Sequence, residues 1–234
     1  MSYSSHDFLY LIWKDPKGRR NYTVGRLSRG ESYVFEYCGE HEEAKKAGWE
    51  YLKAFPKDER YESPTLFAAF ASRLPDPKRK GIDSILRKYG LTEFDGFELL
   101  RRSTGRLPID TYEFIDPVFP EEKSITREFY VVGIRHHADC HGSDCNLRPQ
   151  VKEGELVTLL PEPGNEFDEF AITVRTKGGE MLGYVPRYYS EGVSNRLALG
   201  MTYACEVVEI DHDNNCEACL KVRLSIPKEG SPSR

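Results

Sequence analysis

Asn165, Phe167 and Asp168 lie close together in a segment whose prolines and glycine predict a turn between two strands. An aromatic face can stack on an unpaired nucleic-acid base, and each such contact contributes about 1–3 kcal/mol. An ionised carboxylate only accepts hydrogen bonds, so Asp168 could receive one from a sugar hydroxyl. Asn and Asp side chains also stabilise turns through their own backbone, so a purely structural role is the alternative.

A second segment, residues 136–145, is dense in side chains that bind metals. Its cysteines Cys140 and Cys145 could join Cys216 and Cys219, which form a C-x-x-C motif, in a four-cysteine zinc site. The spacing of the first pair is loose, and the C-x-x-C motif lies where a turn enters a strand. The alternative is a polar loop with free thiols and no cofactor.

Motifs for catalysis are missing from the sequence, which has no P-loop, no G-x-S-x-G and no H-E-x-x-H. Cys–His and Asp–His pairs occur between residues 136 and 145, but no third partner accompanies them. We therefore expect a protein that is not an enzyme. A metal-dependent hydrolase that uses the His/Cys loop is the alternative.

The composition indicates a folded protein: 234 residues, 39% hydrophobic and 30% charged, with a net charge of -5. No apolar run approaches the ~20 residues of a membrane span, and the N-terminus does not have the pattern of a signal peptide. We expect a cytoplasmic protein with reduced cysteines. The acidic excess lies after residue 120, so a nucleic-acid site there must be a local pocket and not a basic face.

A polar segment with two prolines, Asp116–Ser124, predicts a boundary between two domains. We predict a first domain at residues 1–118, a linker at 119–126, a second domain at 127–227 and a tail at 228–234. The first domain is predicted to be α+β, with a small antiparallel sheet plus helices. The second is predicted to be mostly β and barrel-like, with one helix.

Hydrophobic periodicity and turn residues predict the elements of each domain. In the first, strands are expected at Phe8–Trp13, Tyr22–Leu27 and Tyr33–Tyr37, and helices at Glu42–Ala47, from Ser63-Pro64 onward, around Ile82–Tyr89 and at Phe94–Leu100. In the second, strands are expected at Glu128–Ile134, Glu155–Leu160, Ala171–Arg175, Met181–Val185, Tyr203–Ile210 and Leu220–Ile226, with a helix at Ser190–Ala198.

Residues 10–116 resemble the N-terminal subdomain of HipA-type kinase toxins, most specifically in the aromatic-rich segment Thr65–Asp76, which ends in Leu-Pro. The kinase body is absent, so the resemblance implies a role like that of HipS, an antitoxin that binds a HipA-type kinase toxin. An exposed aromatic would then dock on the kinase, and Trp49, Tyr51 and Phe55 lie in the corresponding loop region. The alternative is that these three rings are ordinary packing residues.

Residues 127–226 resemble a HIRAN domain through three ordered motifs: Phe129–Arg135, Leu160–Val174 with its Asn-x-aromatic-Asp step, and Gly183–Arg187. The resemblance implies a pocket that holds the free 3′ end of single-stranded DNA. A DNA repair or processing accessory is the alternative function.

Carried over by alignment, seven residues would form that pocket. Arg135 would contact phosphate or sugar, and His136 would occupy a position where the family often has a stacking aromatic. Asn165 and Asp168 would bind the terminal nucleotide, and Phe167 would stack on a base. The pocket would be completed by Tyr184 and Arg187. The sequence departs from the family at His136 and Phe167, which lack a tyrosine hydroxyl.

Overall fold

Two units, residues 1–117 and 118–234, make up the chain in a computed structural model that describes residues 7–17, 20–119, 122–137, 151–211 and 218–227. The whole predicted linker, residues 119–126, falls within the second unit. The buried Arg196 donates hydrogen bonds to the backbone carbonyl oxygens of Phe119 and Glu122, and the first strand of this unit begins at Ile125. Within the described ranges, no helix is long and apolar enough to cross a membrane.

The first unit contains a five-stranded antiparallel sheet with the strand order β4-β3-β2-β1-β5. Its strands are β1 (Phe8–Lys14), β2 (Asn21–Arg29), β3 (Tyr33–Tyr37), β4 (Tyr61–Ser63) and β5 (Tyr112–Ile115). The meander of β1 to β3 was predicted. The two outer strands were not, because β4 has three residues and β5 pairs with a strand about 100 residues earlier in the chain.

In the part of this unit that the structure describes, four short helices accompany the sheet, so the predicted α+β character is matched in part. They are α1 (His41–Lys46), α2 (Ala68–Ala71), α3 (Ile82–Lys88) and α4 (Gly96–Ser103). The helix predicted from Ser63-Pro64 is the single turn α2. Ser63 ends a strand instead, and its hydroxyl donates to the carbonyl oxygen of Thr65 at 2.6 Å, which forms a local turn. Asp95 caps α4 by accepting from the backbone N–H groups of Phe97 and Glu98.

An aromatic core fills the first unit and includes rings that the kinase-docking hypothesis needs at the surface. Trp49 and Phe55 are each only 3% exposed. The indole N–H of Trp49 donates to the hydroxyl of Tyr112 at 2.8 Å. The ring centroids of Phe55 and Phe35 are 4.5 Å apart. Tyr51 is half-buried against the same core. Trp49 and Phe55 are therefore packing residues, and this corrects their assignment to an exposed docking surface.

The second unit is mostly β. Its described residues form two three-stranded antiparallel sheets, β10-β11-β6 and β7-β8-β9. The strands are β6 (Ile125–Tyr130), β7 (Thr158–Pro161), β8 (Ile172–Arg175), β9 (Met181–Tyr184), β10 (Ala204–Ile210) and β11 (Leu220–Ile226), and the helices are α5 (Ile134–His137) and α6 (Arg187–Ala198).

Single residue pairs join the two sheets at both edges, so that the six strands form a closed, barrel-like ring. Val132 pairs with Tyr184 through two backbone hydrogen bonds of 2.8 and 3.0 Å, and Leu156 pairs with Glu206. Glycine is required at the first junction, because a Cβ on Gly183 would lie 2.4 Å from the carbonyl oxygen of Val132. Among the described residues of this unit, closure of this kind leaves no long strand edge unpaired.

Two boundaries around the first junction differ from the prediction. Strand β6 ends at Tyr130, not at Ile134, because Gly133 takes a positive φ of 77° and the chain turns into α5. Helix α6 begins at Arg187, directly after Pro186, instead of at Ser190. Both helices therefore start next to the strand end that carries Tyr184.

Candidate functional site

The turn after β7 is held by two of its own polar side chains. The amide oxygen of Asn165 accepts hydrogen bonds from the backbone N–H groups of Phe167 and Asp168, at 2.9 and 3.1 Å. One carboxylate oxygen of Asp168 accepts from the N–H of Phe170 at 3.0 Å. Asn165 and Asp168 thus have the turn-stabilising role that the sequence offered as an alternative to ligand binding.

This turn presents the ring of Phe167 to solvent. The side chain is 83% exposed, whereas Phe94, another exposed aromatic among the described residues, is 37% exposed. A single exposed apolar side chain is common on protein surfaces, so the exposure shows that the ring is accessible and does not by itself assign a function. An exposed ring on a turn fixed by hydrogen bonds is well suited to stack on a flat ligand.

Glu162, which precedes the turn, connects it to strand β9. The amide NH₂ of Asn165 donates to a carboxylate oxygen of Glu162 at 2.7 Å. This hydrogen bond, followed by the neighbouring Tyr184 hydroxyl, lowers the pKa of Glu162. Burial, followed by the neighbouring carboxylate, raises the pKa of Tyr184. At neutral pH the pair is therefore an ionised glutamate beside a neutral tyrosine.

His137, at the end of α5, also contacts Tyr184. The two rings meet edge to face, with their centroids 5.5 Å apart. Burial lowers the pKa of His137, and neighbouring His136 lowers it further, so the neutral imidazole is favoured. The sequence had assigned the stacking position to His136. That residue is exposed, and its Nε2 accepts a hydrogen bond from Arg135 Nε at 3.2 Å.

Arg175 adds a positive charge that the sequence analysis missed. Its guanidinium donates to the hydroxyl of Thr173 and to the carbonyl oxygen of Gly179, both at 3.1 Å. Its charge also contributes to the lowered pKa of Glu162. Alternation along β8 could have indicated it, because residues two apart on a strand share a face and Thr173 pairs with Tyr184.

The structure therefore brings together some of the predicted residues and adds others. Asn165 donates to Glu162, Tyr184 lies near the same carboxylate, and Phe167 and Asp168 belong to the same turn as Asn165. Arg135 and His136 lie on α5, next to the histidine that contacts Tyr184, and Arg187 begins α6 three residues after Tyr184. The residues missed by the sequence are Glu162, His137 and Arg175.

Three of the four cysteines of the predicted zinc site, Cys140, Cys145 and Cys216, lie outside the described residues. Cys219 is buried just before β11. The zinc site therefore stays a prediction.

In the described part of the chain, one other group could hold a metal ion, formed by His41, Glu42 and Asp58 of the first unit. Both of its acids are exposed, and the ammonium of Lys45 already lies 2.8 Å from the carboxylate of Glu42.

Comparison with known families and structures identifies the second unit. The family model of the HIRAN domain matches residues 124–227. The HIRAN domain of human HLTF is 20% identical over 45% of this chain and 81% of its own length, with a TM-score of 0.35. A Lactobacillus plantarum protein is 25% identical over 44% of this chain and 94% of its own, with a TM-score of 0.36. No curated protein matched.

The assignment rests on the family model, because both structural similarities are weak. The match begins at residue 124, so the role of the first unit as a partner of a HipA-type kinase stays a prediction from resemblance. Residues 124–227 of this chain are a HIRAN domain.

Proposed function

We propose that this protein is a binding protein for single-stranded DNA that recognises a free 3′ end with its HIRAN domain, and that it has no enzymatic activity. The observation that carries the proposal is the 83% exposed ring of Phe167 on a turn fixed by Asn165. Bases in a single strand offer their faces to such a ring, whereas bases in a duplex are already stacked.

The polar groups around Tyr184 are suited to bind the 3′ end of a DNA strand. A 3′ end carries a hydroxyl that can donate a hydrogen bond, and ionised carboxylates are the side chains that only accept. Glu162 and Asp168 supply two carboxylates near the turn. Arg135 and Arg187, on the two helices that start beside Tyr184, are the candidates for phosphate contacts.

The small size of the site and its acidic surroundings predict weak dependence on salt. Each phosphate neutralised on a single strand contributes about 0.7 to the slope of log K against log salt. One to three contacts then give a slope of about one to two. A protein that coats nucleic acid by bulk charge would show a much steeper dependence.

Fluorescence anisotropy with three forms of one oligonucleotide tests the proposal: a free 3′ hydroxyl, a 3′ phosphate and a closed circle. We expect the free 3′ hydroxyl form to bind best, and a 5′ phosphate to change little. The oligonucleotide should be recovered intact after incubation with divalent metal. Equal affinity for all three forms would rule out end recognition, absence of binding would rule out the proposed ligand, and cleavage would rule out a binding-only role.

A further inference from the structure

We infer that the first unit has a basic surface that binds the phosphate backbone of duplex DNA, outside the HIRAN domain. Five side chains at the two ends of α3 form this basic surface: Lys78, Arg79, Lys80, Arg87 and Lys88. All five residues are exposed. Residues 78–88 contain these five basic residues and one acidic residue, a net charge of +4 in a chain whose net charge is -5.

The loop before α3 has a backbone that is fixed by its own hydrogen bonds. A carboxylate oxygen of Asp76 accepts from the N–H of Lys78 at 2.7 Å, and the carbonyl oxygen of Asp76 accepts from the N–H of Arg79 at 3.0 Å. The carbonyl oxygen of Arg79 accepts from the N–H of Ile82, where α3 begins, at 3.3 Å. Within the described ranges, the side chains of the loop's three cations and of Arg87 form no ion pair or hydrogen bond.

Helix stability does not explain why three cations precede α3. The backbone N–H groups in the first turn of a helix carry partial positive charge, so acidic side chains stabilise this end and basic side chains destabilise it. The run Lys78–Lys80 ends directly before Gly81, the N-cap residue of α3. The run is therefore placed where it opposes folding slightly, and binding of an anion accounts for it.

At the other end of α3, the backbone carbonyls already have a partner. Basic side chains near a helix C-terminus commonly hydrogen-bond the last carbonyl oxygens. Here Arg102 of α4 does so, because its Nη1 donates to the carbonyl oxygens of Tyr89 and Gly90 at 2.9 and 3.0 Å. Arg87 and Lys88 do not have this capping role, and both remain accessible to a ligand.

The density of charge on the basic surface suits a duplex. The seven residues of α3 span about 10 Å at a rise of about 1.5 Å per residue. Duplex DNA carries one negative charge per ~1.7 Å of its axis, about six over this length, and a single strand carries half as many. Five cations at the two ends of α3 therefore match the duplex better than the single strand.

The apolar residues of α3 argue against an anionic membrane as the ligand. A helix that binds a membrane surface inserts an exposed apolar face beside its basic residues. In α3, Leu86 is 5% exposed, and Ile82 and Ile85 are half-buried. The choice of DNA among the remaining polyanions rests on the function proposed for the HIRAN domain of the same chain.

The test uses the full chain and a duplex closed by a hairpin loop at each end, which has no free 3′ end for the HIRAN domain. Five phosphate contacts would give a slope of log K against log salt of up to about 4.5, at about 0.9 per contact. Combined replacement of Lys78, Arg79 and Lys80 by glutamine should lower this slope by up to about 2.7. At about 50 mM salt one released counterion changes affinity roughly tenfold, so the dissociation constant should rise at least tenfold.

The matched control replaces three exposed lysines elsewhere in the first unit by glutamine: Lys46, Lys53 and Lys57. It removes the same charge from a segment, residues 42–62, in which six acidic residues offset five basic ones. The control should leave the salt slope unchanged. Thermal unfolding of both variants separates binding from folding, because removing cations that precede a helix should not lower the midpoint.

Three results would overturn the inference. The first is failure of the wild-type chain to bind the closed duplex at low salt, including the case in which it binds vesicles of phosphatidylserine and phosphatidylcholine instead. The second is an unchanged affinity in the Lys78–Lys80 variant, and the third is an equal loss in the control. A short single-stranded oligonucleotide with a free 3′ hydroxyl tests the HIRAN domain separately. If the wild-type chain binds the closed duplex but not this oligonucleotide, the proposed function fails and the basic surface stands.

Discussion

Replacing Phe167 by alanine should weaken DNA binding without destabilising the fold. The ring is 83% exposed, so its removal takes little buried surface from the folded domain. Substitutions at such surface positions change stability by no more than about 0.5 kcal/mol. Loss of one base–aromatic stack costs about 1–3 kcal/mol, which corresponds to a dissociation constant about 5- to 150-fold higher. The two effects are far enough apart to be measured separately.

Anisotropy titrations and thermal unfolding of the same preparations would measure both quantities. Phe167→Tyr keeps an aromatic face and should bind like the wild type. Leu199→Ala is the matched control for loss of exposed apolar surface, since Leu199 is 76% exposed at the C-terminal end of α6, about 18 Å along the helix from Arg187. Wild-type affinity in Phe167→Ala, or an equal loss in Leu199→Ala, would refute stacking by this ring.

Three further predictions concern stability. Asn165→Asp removes the N–H donated to Glu162 and sets two carboxylates side by side, so urea should unfold the second unit more easily by about 1–3 kcal/mol. Burial alone would raise the pKa of Glu128, but its ion pairs with Lys221 and Arg223 on β11 lower the pKa overall. The stability that these ion pairs contribute is present above the ordinary carboxyl pKa of 4.5 and should be lost as the pH falls below it. Glu128→Gln should reduce this loss of stability at low pH in urea titrations. Trp49→Ala should destabilise the first unit by about 3–5 kcal/mol, since it empties a core position and leaves the Tyr112 hydroxyl without its donor; an unchanged thermal midpoint would contradict this.

Alternation and turn residues were enough to predict most strands of the HIRAN domain. Strand β11 was predicted with its observed bounds, because Leu220–Ile226 alternates buried and exposed residues between clear turn signals. Strands that lack such a pattern were missed. β4 is too short to show a period, and β5 is fixed by its pairing with β1, a contact between distant parts of the chain.

In the candidate site, too, a local sequence pattern indicates some residues, whereas others come together only through contacts between distant parts of the chain. Phe167, Asn165 and Asp168 are neighbours in sequence, so a single turn motif was enough to indicate them. Glu162 and Tyr184 meet only through the pairing of three strands. No local pattern in the sequence reveals that pairing. The choice of His136 over His137 likewise depended on where α5 ends, which periodicity in a four-residue helix does not determine.

The junction between Val132 and Tyr184 has a consequence for self-association. Opening this single pair would expose two strand edges, and an open edge can recruit a strand from a second molecule. The backbone of Tyr184 forms the junction while its side chain belongs to the candidate site, so a ligand bound there would favour the closed monomer over a strand-swapped dimer. Slower hydrogen exchange at these two amides in the presence of ligand would reveal this protection.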